Sequence, residues 1–439
     1  MLKGCLIILL TVLSQYSVTS RDHSLPRQCN VASNTSQSVT HLVLSGCATL
    51  ANLPSSVEVL VMSKLTRLRV LDLSSNKIVR IPSRIFRSNR RLRRLNLSRN
   101  LISFLTRQSF LGKILPVNIS YFHKLYFPGL HHLEHLDLSH NDLSSTWIQQ
   151  DIFNHLHGLV TLDLGHNRLS QISHQLFNSL ANLEVLNLSS NQITKLSKQP
   201  FINLSKLRKL RLSHNLLTVI AGDSLGQAIS LLETLALDNN KIRTVDSEAF
   251  ANLTSLTNLD MKTNNLESVP NIALQQLSSL KYLNLGENLI THLALPGNPH
   301  IQSLVLEQNM IRKIRNQGGR TSSIRSLNLR RNRLTILESE MFETMTGLET
   351  LLLDHNYLED VNGVFSSISS LKNISISHNS LKWFDMAFFH NTIQAINISS
   401  NKIEEIGNYY KIFDGFSLQS LDLSYNRISY LDQHMLVVS

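Results

Sequence analysis

Five consecutive residues, His131-His132-Leu133-Glu134-His135, spell H-x-x-E-H. On a helix that spacing brings two imidazoles onto one face to hold zinc and leaves a glutamate as general base. A second string, Gly222-Asp223-Ser224-Leu225-Gly226, matches the G-x-S-x-G elbow and the Gly-Asp-Ser-Leu sequence of hydrolases. Its chemistry needs a nucleophilic serine raised on a sharp strand-to-helix turn. Histidine recurs directly before an asparagine at His140, His166, His214, His355 and His378. With His135, Asp137 and Asp163, two of these form either a metal or pH-sensitive cluster, titrating near pH ~6, or a merely solvated polar face. Basic residues are the last group. Formal charge is +11, and Arg84, Arg87, Arg90, Arg91, Arg93, Arg94 and Arg99 crowd one stretch, Lys206, Arg208, Lys209 and Arg211 a second, and Arg325, Arg330, Arg331 and Arg333 a third. Such clusters suit an anionic partner, or are tolerated as solvated charge.

What positions these groups is a repeat. From Leu68 onward, L-x-x-L-x-L-x-x-N returns fifteen times, ending at Asn76, Asn100, Asn141, Asn167, Asn191, Asn215, Asn240, Asn264, Asn288, Asn309, Asn332, Asn356, Asn379, Asn401 and Asn426. Steps run from 21 to 26 residues except Asn100 to Asn141. Alternation at Leu71/Leu73 and Leu162/Leu164 turns both leucines to one face of a short strand, with Asp72 and Asp163 on the other. Each asparagine then closes a bend, its amide able to donate to and accept from main-chain groups of adjacent coils. About ten residues later comes Phe86, Phe110, Phe177, Phe201, Phe250 or Phe342, with Leu225 and Leu274 as substitutes. One coil alone has nothing to bury these against, so stability must come from stacking. In this register Leu133 and Leu136 belong to a strand, His131 and His135 do not converge, and Leu225 is a spine residue. Neither catalytic string has the element it needs, so no enzyme, metal or cofactor is expected. Arg94, Arg99, Lys209, Arg211, Arg330 and Arg331 fall at outward strand-face positions and make up the candidate ligand face.

These residues resemble the extracellular leucine-rich-repeat family in its 24-residue form with a phenylalanine spine, over about four fifths of the chain. The resemblance implies an α/β solenoid: a right-handed horseshoe with parallel strands on the concave face. Family members bind proteins, glycans or lipids, and no pattern position is catalytic. The repeats are similar to Toll-like receptor ectodomains, chaoptin-like insect adhesion proteins and secreted insect immune proteins, and less so to matrix proteoglycans.

Lys3, the apolar run Leu6 to Leu13 and the small residues Val18-Thr19-Ser20 predict a cleaved secretory signal over residues 1–20, with a short membrane anchor as the weaker reading. Residues 21–67 are read as cap and irregular first coils, and 68–439 as one solenoid. Cys29 and Cys47 then remain as a pair in an oxidising compartment, which suggests one disulfide; family caps often carry four cysteines, so the likeness there is partial. Val39, Leu42 and Leu44 place Cys47 where the repeat asparagine would stand. Eight sequons occur, at Asn34, Asn96, Asn118, Asn187, Asn203, Asn252, Asn373 and Asn397. Asn96, Asn187 and Asn397 arise within the repeat string itself, so Asn34, Asn118, Asn203 and Asn252 are the candidates for glycosylation, Asn203 and Asn252 foremost.

Two irregularities interrupt the period. Val57, Leu60, Met62 and Leu65 start another repeat only eleven residues before Asn76, and Ile114, Val117 and Ile119 between Asn100 and Asn141 are either a damaged repeat or a protruding loop. No cap follows the last coil before Ser439, so either a partner covers it or the chain is truncated. The expectation is a secreted, extracellular recognition protein with a protein or anionic glycan ligand, in immunity or adhesion; nucleic acid is not expected. The alternatives are the severed ectodomain of a membrane receptor and a matrix glycan-binding protein.

Overall fold

A computed structural model describes residues 30–33, 41–45, 65–81, 85–103, 105, 130–145, 152–225, 228–295, 297–315, 321–361, 363–407 and 417–430. It is a parallel-strand solenoid with almost no helix: one α-helical turn, Asn271–Gln275, and two 3-10 turns, Ser339–Met341 and Met386–Phe388, among the described residues. The chain falls into two compact units, Met1–Leu217 with Asp223–Leu232, and Thr218–Gly222 with Glu233–Ser439.

In the first unit, Asn30–Ser33 pairs antiparallel with His41–Ser45, and a parallel ladder follows through Val70–Asp72, Arg94–Asn96, His135–Asp137, Thr161–Asp163, Val185–Asn187 and Lys209–Arg211. In the second, nine parallel strands run from Thr234–Ala236 to Ser420–Asp422. From Val70–Asp72 onward the strands of these ladders are three residues long, and the middle residue turns inward: Leu71, Leu162, Leu259 and Leu327 are fully buried. The spine lies behind them. Phe86, Phe177, Phe201, Phe250, Phe342, Leu225 and Leu274 are buried as expected, and Phe153 and Phe365 join them at slightly shifted spacing. Phe110 lies outside the described residues. Asn298 stands six residues before the strand residue Leu304, as Leu277 stands before Leu283, and donates to the carbonyls of Leu274 and Leu277 at 3.0 and 2.7 Å.

The asparagine ladder has one wiring. Asn167 Nδ2 donates to Leu164 O and Gly165 O of its own coil and to Leu138 O of the coil before, while its Oδ1 accepts Leu143 N of that earlier coil. The same amide bridges coils at Asn100, Asn141, Asn191 and Asn215, and again from Asn264 to Asn426. Asn240 donates to Leu237 O and Asp238 O within its own coil. Burying four polar partners in one place satisfies a bend that would otherwise leave main-chain groups without water. The residue before every ladder asparagine is left-handed, with φ of 51–57° from Ser75 to Tyr425, although none is glycine. That conformation costs about 1 kcal/mol or more for each residue bearing a Cβ, and the ladder bonds on either side enforce it.

Strand pairing spans both irregularities. His41–Ser45 pairs directly with Val70–Asp72, and Asn76 donates to Leu44 O. Arg94–Asn96 likewise pairs directly with His135–Asp137, and Asn141 reaches Leu97 O at 3.0 Å. Val57, Leu60, Met62, Ile114, Val117 and Ile119 lie outside the described residues. Cys29, Cys47, Asn34, Asn118 and the signal segment lie outside the described residues.

Candidate functional site

Each coil presents four side chains on the outer face of the ladder. Two come from the first and third strand residues, one from the position two before the asparagine, and one from the left-handed residue. Where the third strand residue is Asp or Asn, its side chain accepts the N–H two residues on, as Asp137 does from Ser139 at 2.9 Å and Asp163 from Gly165 at 2.8 Å. These carboxylates fix the turn. Arg94, Lys209 and Arg211 are exposed strand residues, as expected. Arg99 and Arg331 are not on the strand: it ends three residues earlier, and both side chains project from the left-handed bend.

In the first unit, this bend stacks His140 on His166, with centroids 3.9 Å apart and planes at 8°. Burial, the His166 ring and Arg99 hold His140 below the ordinary imidazole value, against Asp137 and Asp163. His135, opposite Arg94 in the register, is lowered by burial and then by that guanidinium, against Glu134. Asn187 Nδ2 donates to both oxygens of Asp163 at 3.0 Å. Among the described residues, no three His, Cys, Asp or Glu groups come close enough together to hold a metal ion. The H-x-x-E-H string occupies a turn and the strand His135–Asp137 rather than a helix, and Ser224 beside Leu225 is buried. Arg93 and Arg325, counted in the basic clusters, are paired with Glu134 at 2.8 Å and Glu349 at 2.5 Å.

The second unit holds a polar cleft of about 460 Å³ lined by Glu287, Glu307, Arg330, Arg331, Asp354, His355, Ser377 and His378 among others. At its floor Asp354 is 3% exposed. Its Oδ1 accepts both serine hydroxyls, from Ser375 and Ser377, together with Ser377 N at 3.0 Å, and its Oδ2 accepts Arg330 Nε at 2.5 Å. Burial opposes the charge, but hydrogen bonds from Ser375, Ser377 and Arg330 outweigh it and hold the carboxyl below its usual range. Sequence reasoning missed this residue. Its signal was an acid where most coils carry serine, followed one coil later by Ser375 in place of the turn-forming Asp or Asn. His355 and His378 stack at 4.2 Å and 7°. Burial, His378 and Arg331 lower His355, against Asp354. At the far end Lys262 reaches Glu287 at 3.0 Å and Glu307 at 3.8 Å. Lys262 is thereby raised, chiefly by the Glu287 hydrogen bond, and Glu287 is lowered by the same contact.

Among the sequons, Asn203 and Asn252 are exposed, whereas Asn96, Asn187 and Asn397 are turn-forming strand residues. No described helix is long and apolar enough to cross a membrane.

A family model described as "Leucine rich repeat" matches residues 66–112, 117–169, 144–193, 157–217, 205–266, 230–290, 254–311 and 322–381, and a second of the same description matches 417–436. Toll-like receptor 7 of Drosophila melanogaster is 43% identical over 76 residues, which is 17% of this chain and 5% of the receptor. Human lumican is 31% identical over 133 residues, covering 25% of this chain and 39% of lumican. The chain thus matches well under half the length of either relative. A leucine-rich-repeat protein of Leptospira interrogans superimposes with a TM-score of 0.69 at 26% identity, over 88% of this chain and 90% of that one. The Toll–Spatzle complex of Drosophila gives 0.66 at 22%, over 79% of this chain and 46% of that one, which is a likeness of fold. With the ladder, the spine and the family model in agreement over most of its length, the chain belongs to the leucine-rich-repeat family.

Proposed function

We propose that this chain is a secreted recognition protein that binds another macromolecule, a protein in preference to an anionic glycan, through the outer face of its strands. The observation that carries the reading is the division of labour within each coil. Inner positions repeat the same buried leucines, while outer ones change charge and size from coil to coil at fixed spacing. A rigid backbone bearing variable side chains is suited to recognition. Among the expected ligand residues, Arg94, Arg99, Lys209, Arg211 and Arg331 form no ion pair with described residues. Among structures of the same fold, Toll is held in a complex with Spatzle and TLR13 in one with single-stranded RNA, so both classes of ligand suit the scaffold. The carboxylates Glu287, Glu307 and Asp354 on this chain's own face weigh against a nucleic acid. Innate immunity and adhesion are the settings the resemblance supports.

The signal segment, a Cys29–Cys47 bridge and glycans on Asn34, Asn118, Asn203 and Asn252 belong to the same proposal. Pairing of Asn30 with Ser45 supports the bridge, since it joins residues flanking the two cysteines. Bidentate bonding of the Asn187 amide to Asp163 favours sugar elsewhere, because an N-glycosylated amide keeps only one hydrogen. The test is capture of extracellular partners by the secreted full chain, repeated with charge reversal at Arg94 and Arg99 and, separately, at Lys209 and Arg211. Loss of a partner in one variant and not the other locates the contact; capture unchanged in both, and in the cleft variants described next, overturns the reading.

A further inference from the structure

The geometry points to the Arg330–Asp354 cleft of the second unit as a preformed site for a protein segment of mixed charge, in which an acidic side chain stands beside a basic one. This rests on the strand-face reading above and gives it a ligand class. Arg330 is an arginine whose Nε is already committed: it donates to Asp354, while the side chain remains 43% exposed and pairs with no other described carboxylate. Asp354 in turn has no oxygen left for a ligand, since Ser375 and Ser377 occupy Oδ1. A guanidinium anchored through Nε has already lost much of its rotamer freedom, so its outer edge can meet a carboxylate without the usual ordering cost. Arg331 projects beside it from the left-handed bend, and the stacked His355 and His378 close that end.

The opposite end has the other sign. Glu287 and Glu307 line the same cleft, held in place by Lys262, Thr263 and Asn328. The lining therefore carries three carboxylates, Glu287, Glu307 and Asp354, against two guanidiniums, Arg330 and Arg331: a net of −1 with both histidines neutral. A sulfated glycan or a nucleic acid, negative along its whole length, would gain at one end and be repelled at the other. A peptide that places a carboxylate over Arg330 and an ammonium over Glu287 and Glu307 gains at both, and wrong partners are rejected by charge.

The test uses three fluorescent probes on the full chain: a blocked hexapeptide repeating Asp-Gly-Lys, blocked hexa-aspartate, and a heparin hexasaccharide. The mixed peptide should bind tightest. Arg330→Gln with Arg331→Gln should weaken it by about tenfold or more. Glu287→Gln with Glu307→Gln should weaken the mixed peptide and tighten hexa-aspartate, a reversal that misfolding cannot produce. Equal or tighter binding of either polyanion by the unmodified chain, or no binding of the mixed peptide, overturns the inference. If a captured partner survives the Arg330/Arg331 variant but is lost on charge reversal at Arg94 and Arg99 or at Lys209 and Arg211, the cleft is not its site and the strand-face reading stands. If the mixed peptide binds through Arg330 while capture yields no partner, the reverse holds.

Discussion

The two units differ most at the position two residues before each ladder asparagine. In the first it reads Ser74, Ser98, Ser139, Gly165, Ser189 and Ser213; in the second it reads Asp238, Lys262, Gly286, Glu307, Arg330 and Asp354 before returning to Ser377, Ser399 and Ser424. Backbone and ladder are the same. Charge in the first unit stands on strand residues such as Arg94, Lys209 and Arg211, which are exposed and unpaired among described residues. In the second it sits in a slot where neighbouring coils reach one another, and Lys262, Glu307, Arg330 and Asp354 are bound across coils. Exposed lone cations give long-range attraction that salt screens. Tethered ones give a shape.

If the slot alone distinguishes the units, the ladder should be worth the same in both. Asn167→Ala and Asn332→Ala each remove an amide that donates to the preceding coil, at 3.0 Å to Leu138 O and 2.9 Å to Leu306 O, and that accepts Leu143 N or Ile311 N. Stranding one buried donor and one acceptor at ~1–3 kcal/mol apiece predicts a loss of about 2–6 kcal/mol, read as a fall in the urea midpoint. A clear inequality between the two would mean that the units differ in more than their outer charges.

A loss within the same range, about 3–5 kcal/mol, is expected for Asp354→Ala, which leaves Arg330, two serine hydroxyls and Ser377 N without their acceptor. Ser139→Ala, at the equivalent position of the first unit, should stay within ~0.5 kcal/mol. Similar effects at both would remove the contrast. Glycine sharpens it further. A Cβ at Gly165 would meet Asn187 Nδ2 at 2.9 Å and Asp163 Oδ1 at 3.1 Å, whereas at Gly286 the nearest atoms are Asn284 Oδ1 at 3.2 Å and Glu307 Cγ at 3.3 Å. Gly165→Ala should therefore cost about 1–3 kcal/mol and Gly286→Ala less, because a glutamate side chain can give way.

Much of the fold is written in the period. Asn76 to Asn426 marks the bends, and the leucine alternation marks which strand face is buried, because stacked coils repeat one environment. What escaped depends on a neighbouring coil. The ladder passes directly from Leu42 to Leu71 and from Leu95 to Leu136, a step that the apolar pattern of the intervening sequence does not announce. Asn298 takes the place that Leu277 holds in the preceding coil because carbonyls of that coil lie within reach there. Asp354 reads as one more outward charge; only Ser375 and Ser377 of the following coil make it a buried one. Arg99 and Arg331 were expected on the strand because the side-chain period of two was carried past the point where the backbone turns left-handed.

The weakest effect is the pH response of the stacked histidines, and it separates the units by sign once the cleft is filled. His140, His135 and His355 all titrate below their ordinary 6.5 in the folded chain. The folded state thus binds fewer protons than the unfolded one. Stability from these groups is complete above pH 6.5 and declines as pH falls through that value toward the lowered folded ones. Unfolding midpoints should drop between about pH 7 and 5.5, and His140→Gln or His355→Gln should each flatten the slope. Adding the Asp-Gly-Lys hexapeptide puts a carboxylate against His355, beside Arg330, Arg331, His378 and Asp354, and raises its affinity for a proton. Peptide binding should then strengthen on acidification in the parent and not in His355→Gln, while His140→Gln leaves that gain intact. A pH dependence of binding that follows His140 instead would move the acidic contact to the first unit.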